Sequence, residues 1–289
     1  MLAEVRGLGF EFAELGHATR LSLLDGIQKA VVAGEMKIVS LHNFCPLPLG
    51  LNGPAPDYYM PSSMSARERQ NAARHTLRTI DCAAALGAKA VVMHCGMVGM
   101  RGYTMKLLDL YAKKGNDNPK FQRVREKALA VRAKKRQKYL DNVAGVLDLL
   151  VPRAKEMKMR LGLETRLGVE EIPDADETAE LLAKFDADTV GYWHDVGHAQ
   201  MKEQFGLTTH ETLLERFRGR TFGMHLQDFI PPAGDHVAPG KGTFDFGRLA
   251  PFVTGEMVLA WEIHREWTAE QIMAGVRTVH EKLRWTVSA

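Results

Sequence analysis

One short stretch, His194-Asp195-Val196-Gly197-His198, carries residue types that can bind a metal ion or move a proton. It follows a β-rich run from Thr189 to Trp193 and precedes a segment of helical character. Asp195 is therefore expected where a strand ends, with His198 turned back toward the same point. A lone Asp in this position is often only a helix cap. Whether Asp195 has a chemical role therefore depends on which residues end the other predicted strands.

Other predicted strands also end on, or are closely followed by, a histidine or an acidic residue. In chain order these candidates are His42, His94, Glu164, Asp195, His198, His225, Asp228, His236 and Glu262. Imidazole and carboxylate groups without thiolates suit Zn²⁺, Mn²⁺, Co²⁺ or Mg²⁺. Several carboxylates converging in an apolar interior would repel one another without a cation. The pattern predicts a bound divalent metal ion and does not specify which metal it is.

Each candidate also has a plain structural interpretation. A single strand-end histidine is usually a hydrogen-bonded structural residue, Glu164 can pair with Arg166, and Glu262 can pair with Arg265. Chance would rarely gather a complete ligand set at one rim, so a metal site is favoured for the set taken together. That set is Glu164, Asp195, His225 and Glu262.

Hydrophobic periodicity predicts seven strands alternating with helices. The strands are expected at 10–15, 37–42, 90–94, 160–164, 189–193, 221–226 and 257–262. Such alternation indicates a parallel sheet covered by helices. Polar residues at nearly every strand end favour a (β/α)8 TIM barrel over a doubly wound sheet, which would gather its ligand groups at one switch point. A single domain, 1–289, is expected, with the first barrel strand apparently missing before Met1.

The remaining pattern predicts helices and two loops rich in Pro and Gly. The helices are expected at 2–6, 23–32, 65–86, 105–111, 121–157, 178–185, 208–217, 246–253 and 268–284. The loops lie at 46–61 and 231–242. The first loop is long enough to have a function of its own, either as a lid over the site or as a dimer contact.

Composition narrows the class of protein. The 289 residues are 45% hydrophobic and 25% charged, which is ordinary for a globular protein, and the net charge of +3 is too small to imply a polyanionic partner. Three cysteines without metal-site spacing indicate a reducing cytosol. No apolar run approaches the ~20 residues that span a bilayer, and the N-terminus lacks a secretory signal pattern. A cytoplasmic protein is expected.

Taken together, the motifs resemble the xylose isomerase-like barrel superfamily, which includes ketose 3-epimerases, inosose isomerases and dehydratases, and endonuclease IV. The resemblance covers nearly the whole chain and depends on the order and spacing of motifs that are individually weak. They are Leu-Gly-Phe-Glu…Glu-Leu (8–15), Leu-His (41–42), Met-His-Cys-Gly (93–96), Leu-Glu-Thr (163–165), His-Asp-Val-Gly-His (194–198), His-Leu-Gln-Asp (225–228), His-Val-Ala-Pro-Gly-Lys-Gly (236–242) and Trp-Glu-Ile (261–263).

The resemblance implies roles for particular positions. The shared metal ligands would be Glu164, Asp195, His225 and Glu262, and His198 would contact substrate in an epimerase. In endonuclease IV, positions matching His42 and His94 join Glu164 at a second metal, and those matching His198 and His236 hold a third.

The chain departs from these relatives in two places. Gly234 stands where the third metal site of endonuclease IV has an Asp, and Asp235 follows one place later. The Pro-Gly-Lys-Gly turn lacks the Arg that often precedes it in epimerases. Both the third metal site and sugar recognition of the usual epimerase kind are therefore open.

The first functional hypothesis is a metal-dependent isomerase or epimerase acting on a keto-sugar or keto-polyol. The metal would lower the barrier to an enediolate, and Glu164 and Glu262, expected on opposite sides of the ion, would act as an acid/base pair. An inosose dehydratase-type lyase would share the first half of this mechanism and then lose water. The expected partner is a small carbohydrate, and a homo-oligomer is left open.

The second hypothesis is a phosphodiesterase acting at abasic DNA, which His42, His94 and His236 favour. The basic stretch from Lys113 to Lys138 would then contact phosphates. Such charges more often form the solvated face of an outer helix, and no nucleic-acid partner is expected. A metal-free scaffold without activity is the third alternative.

Overall fold

The structure is a computed structural model and describes residues 2–283. The strands are β1 (Phe12–Leu15), β2 (Lys37–His42), β3 (Ala90–Met93), β4 (Arg160–Glu164), β5 (Val190–Asp195), β6 (Thr221–Leu226), β7 (Asp228–Ile230), β8 (Gly234–Val237) and β9 (Val258–Trp261). The α-helices are α1 (Leu2–Gly7), α2 (Leu24–Val32), α3 (Ala66–Ala85), α4 (Thr104–Lys114), α5 (Pro119–Glu156), α6 (Ala175–Leu182), α7 (Val196–Gln204), α8 (His210–Arg216) and α9 (Ala269–Leu283).

The described chain divides into two compact units. The first unit runs from the start of the described residues to Val98 and includes Lys135–Glu164 and Ile172–Trp193. The second unit contains Gly99–Lys134, Thr165–Glu171 and the described residues from His194 onward. Strand β5 crosses this division, because its last two residues belong to the second unit.

The first unit is built on parallel strands that follow one another in chain order, from β1 to β5. Every residue of β3 is buried, as expected for a parallel strand covered on both faces. The register pairs His42 with Val92 and Met93 with Leu163. The carboxyl ends of β2, β3 and β4 therefore lie side by side.

Local sequence signals fix the helices between these strands. The Ser65 hydroxyl accepts a hydrogen bond from the Glu68 N–H at 3.4 Å, so α3 begins where the sequence predicts. Asp174 and Glu177 form a reciprocal capping box at the start of α6. Gly87, with a φ of 75°, follows the end of α3 in the left-handed conformation that favours glycine.

In the second unit, β6 and β9 are parallel, and β7 and β8 form an antiparallel hairpin. The buried Asp228 carboxylate accepts hydrogen bonds from the N–H groups of Gly240, Gly242 and Phe244 at 2.8 to 2.9 Å. These bonds hold the segment that returns toward the hairpin. Asp228, a strand-end candidate in the sequence, is thus an anchor for backbone in the structure.

The seven predicted strands are all present as β1 to β6 and β9, and each bound either coincides with the predicted one or differs from it by one or two residues. Three regions differ from expectation. Helix α7 begins directly after Asp195, and the predicted loop at 231–242 contains β8. The helix expected at 246–253 is only a 3-10 turn at Phe246–Leu249. The predicted last helix was to end at Arg284, which lies outside the described residues.

Candidate metal centre

Three candidate ligands meet at the strand ends of the first unit. One carboxylate oxygen of Glu164, Oε2, lies 3.2 Å from His42 Nε2 and 2.8 Å from His94 Nε2. All three side chains are buried, and Glu164 is only 1% exposed. A buried carboxylate flanked by two imidazoles is a set of donors that a divalent cation can use.

Strand register explains why these side chains meet. Val92 pairs with His42, and His94 lies two residues beyond Val92, so both side chains leave the sheet on the same face. The pairing of Met93 with Leu163 then brings His94 beside Glu164, the last residue of β4.

Further groups of the first unit orient the two imidazoles. His42 Nδ1 lies 3.0 Å from the Asn43 carbonyl oxygen. His94 Nδ1 lies 3.1 and 3.2 Å from the two carboxylate oxygens of Asp57. The His17 ring meets the His42 ring edge to face, with 4.8 Å between centroids. In both candidate ligands, Nε2 is therefore the nitrogen directed at Glu164.

In the second unit, Asp195 lies at the junction of β5 and α7. Its Oδ1 accepts a hydrogen bond from the His198 N–H at 2.7 Å, which caps α7. Its Oδ2 accepts a hydrogen bond from the Gln227 amide at 2.8 Å and lies 3.5 Å from His225 Nδ1. Asp195 is fully buried. One carboxylate thus caps a helix and also faces a candidate metal ligand.

A second carboxylate approaches the same nitrogen of His225. Glu262 Oε2 lies 3.0 Å from His225 Nδ1, and β9 holds Glu262 there through the bond from its N–H to the Leu226 carbonyl. Ligand atoms of Asp195, His225 and Glu262 all lie within 4.8 Å of one another. The His225 Nδ1 atom can donate at most one proton, so it cannot satisfy both the Asp195 and the Glu262 carboxylate. A cation is therefore the better partner for these two carboxylates.

His236 lies next to this group. Its Nε2 is 3.5 Å from Glu262 Oε1, and its Nδ1 is 3.1 Å from Asp235 Oδ1. Burial acts to lower the pKa of His236, but the hydrogen bonds to Asp235 and Glu262 outweigh it and raise the pKa to about 11. Asp235 Oδ2 also lies 3.9 Å from His198 Nε2. Asp235 therefore stands between the two remaining candidate histidines.

Both glutamates contact imidazole groups in the structure. Arg166 pairs with Glu171 at 2.6 Å, and Glu164 contacts the two imidazoles of its own unit. Glu262 contacts His225 and His236.

Three residues of these groups were missed by the sequence analysis as site residues. Asp57 contacts His94, Gln227 contacts Asp195 and also accepts a hydrogen bond from the His236 N–H, and His17 packs against His42. A signal existed for each of them. Asp57 is the only acidic residue of the 46–61 loop, Gln227 lies inside the His-Leu-Gln-Asp motif, and His17 follows the end of a predicted strand.

Chemically, these residues offer carboxylates and imidazoles in buried or partly buried positions at or near strand ends. Carboxylates in such places can accept or return a proton, and the imidazoles can bind a cation or a substrate oxygen. No helix among the described residues has the length and apolar character needed to cross a bilayer.

Comparison of the chain with known proteins places the fold. A profile of the family described as "Xylose isomerase-like TIM barrel" matches residues 2–286. A search of curated protein sequences finds no significant match.

Three solved structures illustrate the similarity of fold. The apo 3-keto-D-glucoside 4-epimerase YcjR from E. coli is 15% identical, with a TM-score of 0.67 over 97% of this chain and 92% of that one. A D-psicose 3-epimerase determined in the presence of D-fructose is 12% identical, with a TM-score of 0.65 over 100% and 93%. The IOLI protein with a bound zinc atom is 14% identical, with a TM-score of 0.61 over 100% and 92%.

At these identities the structures show a shared fold. The family match spans almost the whole chain and confirms the (β/α)8 TIM barrel predicted from the alternation of strands and helices. The chain belongs to the xylose isomerase-like TIM barrel family.

Proposed function

We propose that this protein is a divalent-metal-dependent isomerase or epimerase that acts on a keto-sugar or keto-polyol through an enediolate. The observation that carries the proposal is the pair of buried ligand groups at strand ends. Glu164 lies against two imidazoles in one unit, and Asp195 and Glu262 both approach His225 in the other. Structures of similar fold include a 3-keto-D-glucoside 4-epimerase and a D-psicose 3-epimerase, which supports a small carbohydrate as substrate.

The proposed metal ligands are those that the sequence motifs imply, namely Glu164, Asp195, His225 and Glu262. Their chemistry fits a divalent cation of the Zn²⁺, Mn²⁺, Co²⁺ or Mg²⁺ kind, because oxygen and imidazole donors are present without thiolate. A zinc atom in the IOLI protein, which has the same fold, is consistent with this donor set.

When bound, the cation would supply Lewis acidity that eases loss of the proton next to the substrate carbonyl. The carboxylates of Glu164 and Glu262 are the proposed acid/base pair. One removes the α-proton, and the other, protonated, returns a proton from the opposite face. His198 is the proposed substrate contact, and its position is fixed by the 2.9 Å contact of its Nδ1 with the Thr165 carbonyl oxygen. A dehydratase would follow the same first step and then release water.

Proton exchange tests this proposal directly. Metal-loaded protein is incubated in D₂O with keto-sugars and inososes, and carbon-bound deuterium is followed by NMR. We expect uptake at the α-carbon by the parent protein and a loss of about 10²–10⁴-fold in Glu262→Gln, which removes a proton-transfer group. Glu256→Gln is the matched control, because Glu256 is exposed and precedes the same strand. Full exchange activity in Glu262→Gln would remove Glu262 from the mechanism.

One observation favours a second function, that of a phosphodiesterase at abasic DNA. The contacts of His42 and His94 with Glu164 would suit a second metal ion, which the resemblance to endonuclease IV implies. Incubation with abasic duplex DNA provides the test. Strand nicking that disappears in Glu164→Gln, without deuterium uptake into any sugar, would overturn the isomerase proposal in favour of this one.

A further inference from the structure

A surface loop reaches the candidate metal group of the first unit. This loop is the 46–61 segment, and its only acidic residue is Asp57, whose side chain is 34% exposed. Just beyond it, the Ser62 N–H donates a hydrogen bond to the Cys95 carbonyl at 3.0 Å, and the Ser62 hydroxyl donates one to the Met97 carbonyl, also at 3.0 Å. The carboxyl end of the loop is therefore fixed on the segment that follows His94.

Asp57 and Glu164 contact opposite nitrogens of one ring. His94 Nδ1 faces both oxygens of Asp57 at 3.1 and 3.2 Å, and His94 Nε2 faces Glu164 at 2.8 Å. His94 is 8% exposed, so the imidazole is nearly withdrawn from water. A carboxylate on the far nitrogen of a ligand histidine fixes the ring orientation and the tautomer, and it makes the near nitrogen a better donor.

The neighbouring histidine is oriented in a different way. His42 Nδ1 lies against the backbone carbonyl of Asn43, and the Asn43 side chain is itself bonded to Thr76 and Thr79 of α3. The partner of His42 therefore belongs to the packed part of the fold. The partner of His94 is the side chain of a surface loop, so the orientation of His94 depends on where that loop lies.

We propose that Asp57 is a positioning residue that accepts the Nδ1–H of His94 and presents Nε2 to a divalent cation held with His42 and Glu164. This inference rests on the proposed metal dependence and concerns a second cation, beyond the one that the sequence motifs assign to Glu164, Asp195, His225 and Glu262. It has a consequence for the loop, because an ion that binds better when Asp57 contacts His94 must also stabilise the loop in that position. The two effects are equal in size, as linkage between binding and conformation is reciprocal.

Zinc binding to the metal-free protein provides the test. Zn²⁺ is titrated by calorimetry into the parent protein and into Asp57→Ala, Asp57→Asn and His42→Ala. The binding event lost in His42→Ala identifies the site in question. We expect Asp57→Ala to weaken that event by 10–100-fold, which is usual for the outer partner of a ligand histidine. Asp57→Asn keeps an acceptor and should weaken it less.

Hydrogen exchange of the loop gives a second readout. Zinc should slow amide exchange at 46–59 in the parent protein, and this protection should be absent in Asp57→Ala. Asn52→Ala is the control on the same loop, because its backbone carbonyl, which accepts a bond from Arg20, is retained. We expect parent-like zinc affinity and protection in this control.

The outcomes separate the two proposals. If the parent binds zinc through His42 but Asp57→Ala binds it equally well and keeps the loop protection, the role of Asp57 is wrong and the metal proposal stands. If the parent takes up no zinc at this group, the second-metal assignment fails and the role of Asp57 fails with it. Deuterium exchange into substrate, measured independently, then still decides the isomerase activity.

Discussion

At the scale of single residues, Asp195 combines two roles that a sequence presents as alternatives. Its Oδ1 caps α7 through the His198 N–H, while its Oδ2 faces the Gln227 amide and His225. An Asp after a strand is therefore compatible with a cap and with a metal ligand at the same time. Substitution can separate these roles, because asparagine caps helices about as well as aspartate.

We predict that Asp195→Asn loses metal affinity and keeps the fold. The cap is retained, and loss of the hydrogen bond from the Gln227 amide to Oδ2 should lower the free energy of unfolding of the metal-free protein by about 1–3 kcal/mol. Metal affinity should fall by more than ~10-fold, because even outer partners of ligands have effects of that size. Calorimetric titration and urea denaturation measure the two quantities. Asp245→Asn, at the exposed cap of a 3-10 turn, is the control, and equal metal affinity in both variants would contradict the ligand role.

A buried histidine pair in the second unit gives a prediction about acid stability. His210 Nδ1 lies 3.0 Å from His194 Nε2, and His210 Nε2 lies 3.2 Å from the Gln200 side-chain oxygen. Burial, and to a smaller extent the charge of Arg248, lowers the pKa of His210 to about 3 from an ordinary value of 6.5. Between these two pH values the unfolded chain binds a proton at this site and the folded protein does not.

Stability should therefore fall as the pH decreases from about 6.5 toward 3, by up to ~1.4 kcal/mol per pH unit from this one group. We predict a shallower slope in His210→Gln, which has no titrating ring, although lost contacts also lower its stability at neutral pH. Urea denaturation of metal-free protein at pH 7 and pH 5 measures the slope. A slope equal to that of the parent protein would show that His210 does not contribute.

At the scale of elements, the position of Glu164 depends on close packing between β4 and β5. A Cβ atom on Gly162 would lie 2.8 Å from the Trp193 ring, and Trp193 is fully buried. Strand β4, which carries Glu164, therefore packs closely against β5 at a residue without a side chain. The Trp193 indole fills the space that a side chain at position 162 would occupy.

We predict that Gly162→Ala destabilises the protein by about 1–3 kcal/mol, as expected when a well-packed core is overfilled. Gly145→Ala is the matched control. Gly145 lies within α5 with no atom within 4 Å of its added Cβ, so alanine should raise stability by about 0.4–1 kcal/mol there. Denaturant unfolding of both variants checks the contrast, and an unchanged stability in Gly162→Ala would show that Trp193 moves aside without cost.

Most of the barrel strands were predictable because they bury a run of apolar residues and end on, or are closely followed by, a histidine or an acidic residue, as in Arg160–Glu164. Helical character after the 194–198 stretch was expected, but the bounds of α7 were not predictable from periodicity. Most of its residues, including His198 and Lys202, are buried, so no polar face alternates with an apolar one. The β7–β8 hairpin is short, and the bonds from the N–H groups of Gly240 and Phe244 to Asp228 are contacts that periodicity does not reveal. Asp57 was not predictable as a site residue for a similar reason, because its contact with His94 joins residues that are 37 positions apart in the chain.

At the scale of the whole molecule, the chain is nearly balanced in charge, with 38 basic and 35 acidic residues. Part of the basic stretch between Lys113 and Lys138 is engaged internally. Arg132 is buried and donates to the carbonyls of Val169 and Glu171, and Arg136 pairs with Glu180 at 2.7 Å. These bonds assign two arginines of the basic stretch to structural roles.

A single domain was expected from the sequence, and calorimetry can test it. We predict one cooperative heat-absorption peak for the metal-free protein, with equal calorimetric and van't Hoff enthalpies. A divalent cation at 100 times its Kd should raise the transition temperature, because binding to the folded state adds about 2.7 kcal/mol per site. Two separate peaks would show that the units unfold independently.

The central claim is that carboxylates and imidazoles at strand ends hold a divalent cation. Its most direct test is the stoichiometry of Zn²⁺ or Mn²⁺ bound by metal-free protein, measured for the parent, Glu164→Gln and His225→Ala. We predict at least one tightly bound ion per chain in the parent and a loss of that binding in both variants, with Glu256→Gln unchanged. A parent protein that binds no ion, or variants that bind as tightly as the parent, would contradict the claim.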